Sequence, residues 1–89
     1  MKLVVTVVGK DKVGIIAMVS SVLAQNNVNI ISINQNIIDD FFNMAMIAEM
    51  ADDTIKLAEL QKILKSKGKE IDLEIKVQHM DIFNAMHEI

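Results

Sequence analysis

Cysteine, arginine, proline, tryptophan and tyrosine are all absent from this 89-residue chain. Without cysteine there is no disulfide framework, no thiolate nucleophile and no cysteine-rich zinc site. Without arginine the chain lacks the planar guanidinium fork with which many enzymes hold phosphates and dicarboxylates. Long apolar runs are missing too. The apolar run at residues 3–8 is too short to span a bilayer and lacks the cleavage region of a signal peptide. We therefore expect a cytoplasmic protein without a membrane partner.

Charge and aromatic content argue against nucleic acid as a partner. Nine basic residues, all lysine, are outnumbered by twelve acidic residues spread along the chain, and the formal net charge is −3. This distribution offers no positive stripe for a phosphate backbone. Aromatic residues make up only 3% of the chain. Phe41 and Phe42 begin a predicted strand, so they do not form the stacking platform typical of RNA-recognition modules.

Groups that carry catalysis are equally scarce. The sequence contains no Ser-His-Asp set, no pair of carboxylates on one helix face and no glycine-rich nucleotide loop. His79, Asp81 and His87 suggest a metal site, but Asp81 and His87 are six positions apart on a predicted helix and do not face each other. Zinc needs three or four converging ligands. We therefore expect neither an enzyme nor a bound metal or cofactor.

The hydrophobic content predicts self-association. Hydrophobic residues make up 52% of a chain that is long enough for one domain. A domain of this size removes only about 60 to 68% of its unfolded surface from water, so its stability is marginal without further burial. The apolar surplus indicates a buried interface, and we expect a homodimer or a higher homo-oligomer.

Hydrophobic periodicity predicts six elements in the order strand, helix, strand, strand, helix, strand. Residues 2–8 are apolar on both sides, which is typical of a central strand, and residues 70–78 alternate strictly, as an edge strand does. The second helix has Asp52, Asp53 or Thr54 as candidate cap and Gly68 at the C′ position. The order predicts an α+β, ferredoxin-like βαββαβ sandwich, in which two helices cover one face of a four-stranded antiparallel sheet. The remaining elements are predicted at 13–26, 29–38, 41–50 and 54–67.

A hairpin is predicted where Asp39 and Asp40 separate the second and third strands. A two-residue loop pairs residue 38 with 41 and 37 with 42. Continued along the strands, this register sets three isoleucines opposite apolar partners, and a slip of one residue would turn them toward the asparagines. The predicted pairs on this face are Ile37 with Phe42, Ile33 with Met46 and Ile31 with Ala48.

The connection between the first strand and the first helix favours the binding of an anion. Gly9 and Gly14 bracket a short charged loop that contains Asp11, and the first turn of the following helix has free N–H groups at the positive end of its dipole. Read without further context, the glycines only permit a tight turn and Asp11 is solvated. Lys10 and Lys12 are interpreted as solvated and are left out of the site.

The loop residues Gly9, Asp11 and Gly14, followed by Ile15 and later by Asn29-Ile30, resemble the pattern of the ACT domain. The resemblance covers roughly residues 2–78 and divides the chain into an ACT-like domain, 1–78, and a helical extension, 79–89. It implies a regulatory module that senses an amino acid at a homodimer interface and modulates a client enzyme or repressor. The implied ligand contacts are the amides of Val13, Gly14, Ile15 and Ile16 for a carboxylate, and Asp11 and Asn29 for an ammonium group.

In ACT dimers that this chain resembles, ligands lie between subunits, so the loop and Asn29 are expected from different chains. The extension resembles the tail of free-standing single-ACT proteins, and its apolar stripe of Ile82, Phe83, Met86 and Ile89 is predicted to cover an apolar surface. A second hypothesis stays open. In it the loop is ordinary, no small molecule binds, and the terminal helix docks on a client protein.

Overall fold

Seven elements form a four-stranded antiparallel sheet with helices in the predicted order. The computed structural model describes residues 1–51 and 56–87, so the candidate caps at 52–54 lie outside the described residues. The strand order β2-β3-β1-β4 confirms the βαββαβ topology, with β1 in the centre and β4 at an edge. The elements are β1 (Lys2–Lys10), α1 (Ile15–Gln25), β2 (Val28–Ile38), β3 (Phe41–Met50), α2 (Leu57–Glu70), β4 (Leu73–His79) and α3 (Met80–His87).

One face of the sheet and the inner faces of α1 and α2 form the core. Alternation in each strand directs every second side chain to this face, and no polar side chain is buried among the residues described. Three methionines, at 44, 46 and 50, are almost fully buried, and their flexible side chains fill the core. The other strand and helix residues of the core are Leu3, Val5, Val7, Ile15, Val19, Val22, Leu23, Val28, Phe42, Ala48, Leu60, Leu64, Leu73, Ile75 and Val77.

The predicted hairpin is confirmed, with one correction. Asp39 and Asp40 both have positive φ, 49° and 68°, and form a two-residue turn with residue 38 opposite 41. The prediction that Ile31 pairs with Ala48 is wrong, because the register shifts between residues 30 and 32 and Ile30 lies opposite Ala48. The extra residue changes the phase of β2, so that Val28 and Ile30 share a face with the isoleucines beyond the shift. The prediction assumed that side chains alternate strictly along β2, and strict alternation does not allow for this extra residue.

Gly9 belongs to β1 and not to the loop. It pairs with Phe42 on one side and with Leu73 on the other, and β1 therefore runs two residues further than predicted. A Cβ atom on Gly9 would lie 2.6 Å from Leu73 Cδ2 and 3.0 Å from the carbonyl oxygen of Asp72. Glycine here permits the close approach of the turn that leads into β4.

Gly68 has a different role from the predicted helix cap. Helix α2 continues to Glu70, and the left-handed residue that follows it is Asp72, with φ 56°. Gly68 is buried inside the helix, where a Cβ atom would lie 2.7 Å from the carbonyl oxygen of Leu73. It therefore allows α2 to pack closely on β4, and residues 71–72 form the turn that delays the start of that strand.

The last helix packs on the opposite face of the sheet. Val4 alternates with core residues of β1, yet it is only 5% exposed, and α3 contacts both β1 and β4. Gln78 Nε2 lies 3.5 Å from Met86 Sδ, which ties the helix to the strand before it. Phe83 is half-buried, whereas Ile82 and Met86 are 57% and 65% exposed. Of the predicted apolar stripe, Phe83 thus packs within its own subunit and Ile82 and Met86 stay exposed, while Ile89 lies outside the described residues.

We expect Gly68→Ala to destabilise the fold although alanine favours helices. The helical preference is worth about 1 kcal/mol, but the new methyl group meets a backbone oxygen and must displace a strand, which costs about 1 to 3 kcal/mol. Urea unfolding followed by far-UV circular dichroism measures the difference. Ser66→Ala, at an exposed position of the same helix, is the control and should be neutral or slightly stabilising. A Gly68→Ala protein as stable as the Ser66→Ala protein would contradict this packing.

Candidate ligand site

Two hydrogen bonds fix the loop between β1 and α1. The amide of Asp11 donates to the carbonyl oxygen of Asp40 at 2.6 Å, which holds the loop against the β2–β3 turn. On the other side, Lys12 Nζ donates to the carbonyl oxygen of Ile71 in the turn before β4. The interpretation of Lys12 as merely solvated missed this contact. No local signal points to it, because its acceptor lies 59 residues further along the chain.

Gly14 sets the geometry where α1 begins. It occupies the N-cap position with φ 91°, a left-handed conformation, and its carbonyl oxygen accepts the amide of Met18. At this N-terminal end no described side chain caps the helix, and its first turn holds no acidic residue. In the part of the chain that the structure describes, nothing lies within 4 Å of the place where a Cβ on Gly14 would stand. The space beside Gly14 at the helix start is therefore open.

The predicted loop residues lie together around this opening. Asp11 and Gly14 are exposed, and the Val13 side chain points fully into solvent. Ile15 is buried in the core and anchors the first turn, so its side chain is not available to a ligand. Ile16 is 36% exposed. A carboxylate placed at the first turn of α1 would meet main-chain N–H groups and the positive end of the helix dipole.

Asn29 lies far from this opening in the same chain. It pairs with Glu49, which pairs with Lys2 at the start of β1, whereas Asp11 follows Lys10 at the opposite end of that strand. Asn29 lies opposite Glu49 of β3 and Lys10 lies opposite Phe41, so the two are separated by eight residues along β3, or about 27 Å. One chain therefore does not bring Asn29 to the loop. If Asn29 and the loop contact one ligand, they must come from different chains, as the resemblance implies.

The helix layer covers the start of β2, where Val28 is buried, but stops short of the rest of the strand. Ile33 and Ile37 lie opposite the buried Met46 and Phe42 and so point to the helix-covered face, yet they are 47% and 49% exposed. Ile31, at the register shift, is 51% exposed. The outer strand thus combines an unpaired backbone edge with uncovered isoleucines.

This topology and loop geometry agree with a known family. A sequence model described as the ACT domain matches residues 1–78. The chain belongs to the ACT domain family. ACT domains are small regulatory modules that bind small molecules. The UPF0237 protein of Clostridium perfringens is 49% identical to this chain over 89 residues, covering 100% of both chains.

Two solved structures extend the comparison. An ACT domain protein from Streptococcus pneumoniae superposes with a TM-score of 0.81 at 36% identity, covering 98% of each chain. A formyltetrahydrofolate deformylase from Pseudomonas putida KT2440 gives a TM-score of 0.80 at 11% identity, covering 89% of this chain and 29% of the deformylase. The second likeness shows the fold alone.

Other kinds of site find no support in the residues described. Within 1–51 and 56–87 no group of three or more histidine, cysteine or acidic residues is arranged to hold a metal ion. His79 Nδ1 accepts the backbone amide of Asp81 at 3.1 Å, which places the histidine at the start of α3 as a helix cap. None of the described helices is long and apolar enough to cross a membrane.

We expect substitutions of Gly14 to follow backbone preference and not side-chain volume. Because the surrounding space is open, Gly14→Ala should cost about 1 to 2 kcal/mol through the left-handed conformation alone. Gly14→Asn should cost less, since asparagine tolerates this conformation, and Gly14→Val more, since a branched residue does not. Thermal unfolding by calorimetry tests the order of the three variants. A loss of stability that instead rises with side-chain volume, in the order Ala, Asn, Val, would contradict the geometry.

Proposed function

We propose that this ACT domain is a non-catalytic cytoplasmic module that senses a small amino acid at the interface of a homodimer and modulates a partner enzyme or regulator. The observation that carries the proposal is the position of the ligand-contact candidates. The loop and Asn29 lie at opposite ends of the sheet, and strand β2, with its exposed Ile33 and Ile37, connects their two levels. A second copy across that strand supplies what one chain lacks.

A two-fold axis beside the middle of β2 accounts for the composite site. Antiparallel pairing of two β2 edges about Ile33 sets Asn29 of one copy opposite Ile37 of the other. Ile37 pairs with Phe42, and Phe42 pairs with Gly9, two residues before Asp11. Asn29 thereby reaches the level of the second copy's loop. The Asp11 amide bond to Asp40 keeps that loop on the side of the hairpin, near β2.

The chemistry of the joined site suits an amino acid. The α-carboxylate is received by the main-chain amides of Val13, Gly14, Ile15 and Ile16. The ammonium group is received by the carboxylate of Asp11 and the amide oxygen of Asn29 from the second copy. Because the ligand contacts both copies, it binds the dimer better than the monomer and must stabilise the dimer. Ligand concentration is thereby coupled to assembly, and assembly to whatever the dimer contacts.

A competing function has one observation in its favour. Ile82 and Met86 of α3 remain exposed after the helix has packed on its own sheet. If the chain is only a protein-interaction module, these two side chains dock on a client and the loop binds nothing. Calorimetric titration with the twenty amino acids separates the two functions. A ligand at a hundred times its dissociation constant adds about 2.7 kcal/mol to stability per site.

We expect mixed dimers of Asp11→Ala and Asn29→Ala to recover binding that each variant alone has lost. A heterodimer with one variant of each kind has one site with both native residues and one site with neither. Co-expression with two affinity tags isolates the heterodimer, and calorimetry should then give one bound amino acid per dimer, where the native protein binds two.

The matched control for this experiment is Asn34→Ala, an exposed asparagine of the same strand that should leave binding unchanged. If each site were built from a single chain, the heterodimer would bind nothing. That result would contradict the shared site even if the native protein binds amino acids.

We expect Ile37→Asp to convert the dimer to a monomer. The substitution places a charge in the apolar surface that the second copy should cover. Sedimentation velocity measures the change in mass. Ile82→Asp, at a residue of similar exposure on α3, is the control and should leave the mass unchanged. If the Ile82 variant were monomeric and the Ile37 variant dimeric, the dimer interface would lie at α3 and not at β2.

A further inference from the structure

The turn between α2 and β4 is fixed by hydrogen bonds of its own. The amide of Ile71, the C-cap residue of α2, donates to the carbonyl oxygen of Gly68 at 3.1 Å, and the amide of Asp72 donates to that of Lys69 at 3.4 Å. Asp72 has φ 56°, a left-handed conformation that ends the helix, and β4 begins at the next residue. These bonds give the carbonyl oxygen of Ile71 a defined position at the C-terminal end of α2.

This end of α2 attracts a positive charge. The last carbonyl groups of a helix have no partner within the helix and lie at the negative end of its dipole. Lys12 of the β1–α1 loop supplies such a charge, because its Nζ donates to the carbonyl oxygen of Ile71. Lys12 therefore connects the loop that leads into α1 with the residue that ends α2.

The side chain of Lys12 is also the second of two ties that hold this loop. The amide of Asp11 donates to the carbonyl oxygen of Asp40 and holds the start of the loop. From Lys12 to Gly14, the described residues provide no other hydrogen bond to a different strand, helix or turn. The side chain of Val13 is fully exposed, and the space beside Gly14 is open. Without the bond to Ile71, the end of the loop would depend on the Asp11 bond alone.

We propose that Lys12 is a positioning residue of the amino-acid site, which holds the loop in its binding conformation by capping the C-terminal end of α2. The inference rests on the proposed function, in which the main-chain amides that follow Lys12 receive the carboxylate of the ligand. Lys12 acts through the backbone, since its ammonium group is engaged by Ile71. A loop that is already ordered loses less conformational entropy on binding, so the bond strengthens binding. By linkage the ligand strengthens the bond in return, and the end of α2 becomes more ordered when the site is occupied.

Nuclear magnetic relaxation of the free, full-length protein tests the first half of the proposal without a ligand. Lys12→Met keeps an unbranched side chain but removes the ammonium group. We expect the backbone order parameters of Val13 and Gly14 to fall from about 0.85, typical of a rigid backbone, to below about 0.6. Lys12→Arg retains a charged donor and should keep the native values. Lys10→Met is the matched control, because Lys10 is exposed and its side chain has no hydrogen bond or ion pair within residues 1–51 and 56–87.

Binding tests the second half, with an equimolar mixture of the twenty amino acids as the probe. The titration follows the amide chemical shift of Ile16, and Lys12→Met should raise the midpoint concentration about tenfold. Lys12→Arg and Lys10→Met should keep nearly the native midpoint. In the native protein the mixture should slow hydrogen exchange at the amides of Ile71 and Asp72, and in the Lys12→Met protein it should not.

Three outcomes would overturn the proposal. Native order parameters at Val13 and Gly14 in the Lys12→Met protein would show that the loop is fixed without this bond. Equal weakening of binding by Lys10→Met and Lys12→Met would show that charge alone attracts the ligand. A Lys12→Arg protein that binds as weakly as Lys12→Met would show that the donor is not what matters. If the mixture shifts no amide of the native protein, the proposed function fails, whereas the order parameters of the free protein still decide whether Lys12 holds the loop.

Discussion

The incomplete cover of the sheet by its helices is the constraint on which the rest of this structure depends. Four strands lie side by side, and α1 and α2 bury the inward side chains of β1, β3 and β4, but Ile33 and Ile37 of β2 stay half exposed. Their neighbours Met46 and Phe42 are buried on the same face. Burial of apolar surface is the main favourable term in folding and association, so this strand is where a small domain gains most from a second copy.

The position of the loop depends on close approaches between backbones. Gly9 lets the turn before β4 approach β1, and Gly68 lets α2 approach the start of β4. These approaches bring the carbonyl oxygen of Ile71 within reach of Lys12, while the hairpin turn offers its own oxygen to the amide of Asp11. The loop is therefore held from both sides before any ligand arrives. Gly14 then starts the helix without a side-chain cap at its N-terminal end, and the space beside its Cα is open.

The two edges of the sheet differ in the partner they suit. The β2 edge is flanked by isoleucines and joins the levels of Asp11 and Asn29, which favours a symmetric apolar contact with a second copy. The β4 edge is covered by α2, because Gln61 donates to the carbonyl oxygen of Val77 and Gly68 packs against the carbonyl oxygen of Leu73. Exposed sheet edges are usually blocked in natural proteins, which makes the open β2 edge informative.

The sequence by itself determined what depends on near neighbours. Alternation predicted the inward face of β3 and β4, the register predicted a two-residue hairpin at Asp39 and Asp40, and the order of periods predicted the ferredoxin-like fold. The ACT resemblance came separately, from the residues of the loop and from Asn29-Ile30. Tertiary structure decided what depends on distant residues. The shifted pair at Ile31, the buried role of Gly68, the bond from Lys12 to Ile71 and the separation of Asn29 from Asp11 each depend on a strand or turn far away in the chain. Local patterns report the face a side chain takes, but only packing shows which faces are covered and which groups meet.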